Sequence, residues 1–164
     1  MVDVYIGIGS NIEPERNFQA VYVLLKDAFP SIEFSRIFRS EAVGFVGEDF
    51  HNSVGKFFLE SNKESSKTDL NTVLALLKSI ENQLGRKRGG EKFSARVIDI
   101  DILLFGNLVC DEPIQLPRGE VVENAYVLWP LSELAPDLVH PIENKTYANL
   151  WRDFDKSSQK LYAV

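Results

Sequence analysis

Arg96-Val97-Ile98-Asp99-Ile100-Asp101-Ile102-Leu103-Leu104-Phe105 sets two carboxylates into an otherwise apolar run. Its length and β-branched content predict a strand, whose side chains alternate between two faces. Asp99 and Asp101 are therefore expected to point the same way, about 7 Å apart for two rises of about 3.3 Å. Ile98, Ile100, Ile102 and Leu104 are expected to cover the opposite face. Two like charges at that spacing, on a strand at the edge of a core, are costly unless cations neutralise them. No Cys or His stands nearby, and oxygen-only ligands select a hard ion. Mg²⁺ held by one or two carboxylates together with substrate phosphates is the usual arrangement. Taken alone, the pattern also fits an edge strand that turns a polar side to solvent.

The residues before the strand shift that balance. Gly85-Arg86-Lys87-Arg88-Gly89-Gly90-Glu91-Lys92-Phe93-Ser94-Ala95-Arg96 carries five cationic side chains against one acidic, in a chain of net charge −6. A basic loop with a glycine pair suits a lid that folds over a polyphosphate. Running straight into paired carboxylates, it supplies both anion grips and cation ligands.

Lys92-Phe93-Ser94-Ala95-Arg96, followed after two residues by Asp99-Ile100-Asp101-Ile102-Leu103, resembles the signature of the 6-hydroxymethyl-7,8-dihydropterin pyrophosphokinase family of folate biosynthesis. Other stretches agree in order and spacing. They are Tyr5-Ile6-Gly7-Ile8-Gly9-Ser10-Asn11, Phe38-Arg39-Ser40-Glu41-Ala42-Val43-Gly44 with Asn52 downstream, Glu81-Asn82-Gln83-Leu84-Gly85-Arg86, and Leu128-Trp129-Pro130-Leu131 with Glu133-Leu134-Ala135-Pro136. The resemblance covers nearly the whole chain. It implies transfer of the β,γ-diphosphate of ATP to the hydroxymethyl group of 6-hydroxymethyl-7,8-dihydropterin, with AMP released. It also implies two Mg²⁺ ions held by Asp99 and Asp101, with Arg86 and Arg96 as catalytic lid arginines. ATP contacts are expected from Glu81, Arg86, Arg88, Arg96, Ile102 and Arg118. The pterin is expected against Ser40, Glu41, Val43, Phe50, Asn52, Phe93 and Tyr126. Phe93 stands at the family's Trp position in the lid, Tyr126 at its stacking Phe position and Phe50 at a Tyr position. Asn52 can donate and accept at once, which suits the amide-and-amine edge of a pterin.

The chain departs from the family pattern at named positions. Pro117-Arg118-Gly119 stands where relatives carry His-Tyr after a Pro, and Asn124 where they carry an Arg before the stacking aromatic. Ser94 replaces the signature's Gly, and Glu41 a Pro. Arg118 is expected to replace both missing phosphate contacts. The same changes leave an alternative: a divergent paralogue that binds a pterin or nucleotide with an altered acceptor or little catalysis.

Length and composition agree with one globular domain over residues 1–164, with 45% hydrophobic and 11% aromatic residues. No apolar run is long enough to span a bilayer, and the start lacks a basic-then-apolar secretion pattern. Cys110 is the single cysteine, which precludes an internal disulfide and suits a reducing cytoplasm. One short basic loop in an acidic chain argues against nucleic-acid partners. The oligomeric state stays open, a monomer among the options.

The expected elements follow apolar periodicity and breakers. A strand covers Val2–Gly9, and a helix runs from Pro14 to Pro30 with the stripe Phe18, Val21, Tyr22, Leu25, Ala28, Phe29. Strands are expected at Ile32–Arg39 and Asn52–Leu59. Thr68 is expected to cap a helix ending at Gly85, with the stripe Leu70, Val73, Leu74, Leu77, Ile80, Leu84. Turns are expected over 106–124, then short helices over Tyr126–Ala135 and Tyr147–Phe154. The order β-α-β-β-α-β predicts an α+β, ferredoxin-like antiparallel sheet with a C-terminal appendage.

Overall fold

Alternation along Val2–Ser10 (β1) decides the centre of the molecule. Val4, Ile6 and Ile8 are buried on one face and Tyr5 on the other. A strand apolar on both sides needs cover on both, and it occupies the middle of the sheet. The computed structural model describes residues 1–40, 49–85 and 98–164. In it β1 pairs antiparallel with Phe50–Leu59 (β4) on one side and with Asp99–Phe105 (β5) on the other. Phe38–Ser40 (β3) and Glu33–Phe34 (β2) pair with β4, and Leu161–Ala163 (β6) pairs with β3. The sheet order is β5-β1-β4-β3-β6, antiparallel throughout. With a helix between β1 and β2 and another between β4 and β5, this is the expected α+β arrangement.

Helices Pro14–Ala28 (α1) and Ser66–Gln83 (α2) cover one face. Phe18, Val21 and Leu25 of α1 and Leu70, Val73, Leu77 and Ile80 of α2 meet Val4, Ile6, Ile8, Ile98, Ile100 and Ile102 there. The other face is covered by Ala125–Leu134 (α4) and Tyr147–Asp153 (α5). Val127, Leu128, Leu131 and Tyr147 pack there with Tyr5, Val54, Leu103 and Leu104. Glu120–Glu123 (α3) is a single turn that leads into α4.

Several boundaries differ from the sequence expectation. The strand expected at Ile32–Arg39 is split into β2 and β3. Phe34 pairs with Gly55 and Phe38 with Asn52, so this side carries one residue more than β4 across the interval. Ser35 fills the break: its N–H donates to the Val54 carbonyl at 2.8 Å and its hydroxyl accepts from Val54 N–H at 2.9 Å. Thr68 does not cap α2, which starts at Ser66 after Ser65. The side chain of Asn62 accepts from the N–H groups of Glu64 and Ser65, and this turn starts the helix three residues early. β4 begins at Phe50 rather than Asn52, α3 occupies part of the expected turns, and β6 had no sequence signal strong enough to register.

Leu104 is the correction with functional weight. Ile6 pairs with Ile102 and Tyr5 with Leu104, leaving Leu103 as an extra residue in β5. This bulge moves Leu104 to the face of Tyr5, away from Ile98, Ile100 and Ile102. Ile102, 1% exposed in the α1–α2 core, marks the last residue before the change of face. Truncating it to alanine is expected to cost about 2–5 kcal/mol in urea denaturation, the range for a buried large-to-small change. Asp101→Asn, one residue away, should leave the midpoint close to wild type, because it removes like-charge repulsion and a partly exposed ion pair of small value.

Candidate active site

The polar face of β5 is open where β1 has no side chains. Asp99 pairs with Gly9 and Asp101 with Gly7, so the sheet surface beside both carboxylates is bare backbone. Across β1, Gly9 pairs with Asn52 and Gly7 with Val54. A Cβ on Gly9 would stand 2.9 Å from Asn52 Oδ1, too close for both to keep their places. A cleft of about 670 Å³ opens over this surface, and Asp99, Asp101, Asn52, Phe50, Ser40, Tyr126 and Glu120 are among the residues that line it.

Each polar group is held from a different element. Asn52, 8% exposed, donates through Nδ2 to Ser40 Oγ at 3.3 Å, a bond between β4 and β3. Tyr126 accepts at its hydroxyl from Asn124 Nδ2 at 2.9 Å. Asn124 therefore orients the aromatic residue two positions further on. Arg118 donates its N–H to the carbonyl of the bulged Leu103 at 3.0 Å. Its guanidinium then stands 3.6 Å from Asp101 Oδ1, with both side chains partly exposed. Glu81, buried near the end of α2, accepts from the N–H of Ile100 at 2.8 Å. That bond fastens the outer edge of β5 between its two carboxylates.

Glu120 was not singled out by sequence, since nothing in the chain marks its proximity to residues 19 and 21 positions earlier. Burial pushes its carboxyl above the ordinary range, and repulsion from Asp101 adds to this, with smaller contributions from Asp99 and Glu123; Arg118 opposes the rise. Burial likewise pushes the Tyr126 phenol up to about 12, with Glu120, Asp101 and Asp99 adding to the rise. The cleft is thus an acidic place that favours cations and neutral donors.

Of the residues expected from sequence, Ser40, Phe50, Asn52, Asp99, Asp101 and Tyr126 come together on one cleft, with Arg118 beside it. Glu41, Val43, Arg86, Arg88, Phe93 and Arg96 lie outside the described residues, as does the expected lid beyond Gly85. Ile102 needs correction as a side-chain contact: its side chain belongs to the core on the opposite face. By the two-residue repeat its main chain turns to the same outer edge as Ile100, and only that main chain is left to meet a ligand.

A sequence profile for 7,8-dihydro-6-hydroxymethylpterin-pyrophosphokinase matches residues 5–136. The chain is 31% identical over 150 residues to the 2-amino-4-hydroxy-6-hydroxymethyldihydropteridine pyrophosphokinase of Aquifex aeolicus, covering 88% of each chain. It is 36% identical over 143 residues to that of Methylorubrum extorquens, covering 85% of this chain and 86% of the relative. Among solved structures, an HPPK-DHPS crystal structure with substrates superposes with a TM-score of 0.65 at 11% identity, over 95% of this chain and 44% of the other. The chain thus spans less than half the length of that solved protein, and the likeness shows the fold alone. A mixed α/β domain with an acidic cleft over an antiparallel sheet is the class that fold and site define. The chain belongs to the 7,8-dihydro-6-hydroxymethylpterin-pyrophosphokinase family.

The raised Glu120 carboxyl has a consequence for stability. A carboxyl whose folded value lies above its unfolded value stabilises the fold below the unfolded value, and that contribution is lost as pH rises through the folded one. Glu120→Gln should therefore raise the denaturation midpoint near neutral pH. The gain should vanish below about pH 4, where the unfolded carboxyl is itself protonated. Midpoints of variant and wild type compared across that interval check both the sign and the window.

Proposed function

We propose that this chain transfers the β,γ-diphosphate of ATP to the hydroxymethyl group of 6-hydroxymethyl-7,8-dihydropterin and releases AMP, a step of folate biosynthesis. Family membership supports the activity, since the relatives at 31% and 36% identity are named as pyrophosphokinases for this pterin. The observation that carries it to particular residues is the joining, in one cleft, of Asp99 and Asp101 with Asn52 and Tyr126. A protein that only bound a pterin would have no use for the carboxylate pair.

The donor set suits a hard divalent ion. Two carboxylates share one face of a strand over bare glycine backbone, and among the described residues no third His, Cys or carboxylate completes a protein cage. That leaves room for phosphate oxygens, the arrangement typical of Mg²⁺ with nucleotides. Asp99 and Asp101 would hold the metal, two ions in this proposal, and its contribution there is neutralisation of phosphate charge.

The remaining work falls to the chain's own side chains. Tyr126 offers a ring face to the flat heterocycle, with Phe93 as the proposed second ring from the lid. Asn52, held by Ser40, pairs with the pterin's polar edge, and Phe50, Glu41 and Val43 complete that pocket. So placed, the hydroxymethyl oxygen attacks the β-phosphorus, the bond from that phosphorus to the α,β-bridging oxygen breaks, and AMP departs. Arg86 and Arg96 grip the triphosphate as charge develops, and Arg88, Arg118, Glu81 and the main chain of Ile102 complete the ATP contacts. The 85–96 segment is proposed to exclude competing water.

Compartment and assembly belong to the same proposal. The lone Cys110 suits a cytoplasmic enzyme, and among the described residues no helix is long and apolar enough to cross a membrane.

Two measurements test the proposal. Asp99→Ala or Asp101→Ala should abolish most Mg²⁺-dependent AMP release from ATP and the pterin while the protein stays folded; near-normal release from either variant would refute the metal assignment. Arg118→Ala should weaken ATP binding about 10- to 100-fold, the value of a charged hydrogen bond of about 1.5–3 kcal/mol. Pterin binding measured alone should hardly change, and unaltered ATP affinity would remove Arg118 from the nucleotide site.

A further inference from the structure

The family profile ends at residue 136, yet the chain returns to the cleft about twenty residues later. Ser157, Ser158, Gln159, Lys160 and Leu161 form one wall of it. Within that wall Gln159 uses both ends of its amide on main chain flanking Asn124. Its Oε1 accepts from Ala125 N–H at 2.7 Å, and its Nε2 donates to the Glu123 carbonyl at 2.9 Å. The Ala125 N–H lies at the start of α4, where helix geometry supplies no partner of its own. Between the two anchored residues, Asn124 donates to the Tyr126 hydroxyl at 2.9 Å.

The same segment is tied at its other end. Leu161 pairs with Ser40 as β6 joins β3, and Ser40 is the residue that accepts from Asn52. Tyr126 and Asn52 come from α4 and β4, two elements whose separation neither sets alone. The short span from Gln159 to Leu161 bridges them.

We infer that Gln159 is a positioning residue for the acceptor: by clamping the α3–α4 junction it sets the spacing between the Tyr126 ring and the Asn52–Ser40 pair. The pocket so gauged takes a flat bicyclic heterocycle edge-on to Asn52. This rests on the proposed function, because it assigns the pterin to that pocket. Gln159 touches main chain and no reacting atom. A loss of the clamp is therefore expected in acceptor binding before it is felt in nucleotide binding.

Gln159→Ala and Gln159→Met separate the clamp from mere filling of space, since methionine keeps the volume and loses both hydrogen bonds. Affinity for 6-hydroxymethyl-7,8-dihydropterin is measured with saturating Mg²⁺ and a non-hydrolysable ATP analogue. Affinity for the analogue, KM and kcat, and the thermal midpoint are recorded for the same full-length proteins. Both variants should lose acceptor affinity roughly 5- to 20-fold, the scale of one or two neutral hydrogen bonds. The KM for the pterin should rise more than kcat falls, and analogue affinity should stay within about twofold of wild type. Wild-type acceptor affinity in Gln159→Met overturns the inference, as does a parallel loss of pterin and analogue binding with a lowered thermal midpoint. Failure of the wild-type chain itself to bind the pterin refutes the proposed function and this inference with it. Normal wild-type binding with an unaffected methionine variant refutes the inference alone.

Discussion

The antiparallel register of β5 on β1 sets Asp99 opposite Gly9 and Asp101 opposite Gly7, and the rest of the cleft depends on that alignment. A strand flanked by larger side chains would bury the carboxylates or push them apart. The glycines leave the sheet surface bare and also admit Asn52, whose amide oxygen occupies the space that a Gly9 Cβ would need. Two residues beyond Asp101, the bulge at Leu103 ends the alternation. It brings Leu104 to join Leu103 in the core under α4 and α5, and the Leu103 carbonyl accepts from the Arg118 N–H. A local irregularity of one residue thereby joins the paired carboxylates, the second core and the neighbouring cation.

Electrostatics gives the cleft its character. Asp99, Asp101 and Glu120 crowd negative charge into one region, and this repulsion adds to the rise that burial imposes on the Glu120 carboxyl and the Tyr126 phenol. Arg118 offsets part of it, standing 3.6 Å from Asp101. Such a partly exposed pair contributes little to stability. Its placement matters more: the guanidinium lies beside the carboxylates and lowers the local excess of negative charge.

The two faces of the sheet divide the work. Against α1 and α2 the sheet buries a continuous apolar layer, and Glu81 reaches from α2 to the edge of β5 through the Ile100 N–H. Among the described residues the opposite face is covered by α4 and α5 only in part, and the part they leave is the cleft. Elements from both ends of the chain meet there, which makes its shape a property of assembly rather than of any one segment.

Sequence alone determined the elements whose pattern is local. The shared face of Asp99 and Asp101 follows from strand alternation, the two amphipathic helices from 3.6-residue stripes, and the sheet class from their order. Family motifs then named Ser40, Phe50, Asn52 and Tyr126, which the fold brings together. Tertiary structure decided what depends on pairing between distant strands. The bulge that moves Leu104 across the sheet arises from register against β1, and the break at Ser35 from register against β4. Neither leaves a trace in composition. Glu120 and Gln159 reach the cleft through chain reversal, and no spacing in sequence encodes that. Local periodicity is written by backbone geometry residue by residue, whereas register and proximity emerge only when separate segments compete to bury their apolar faces together.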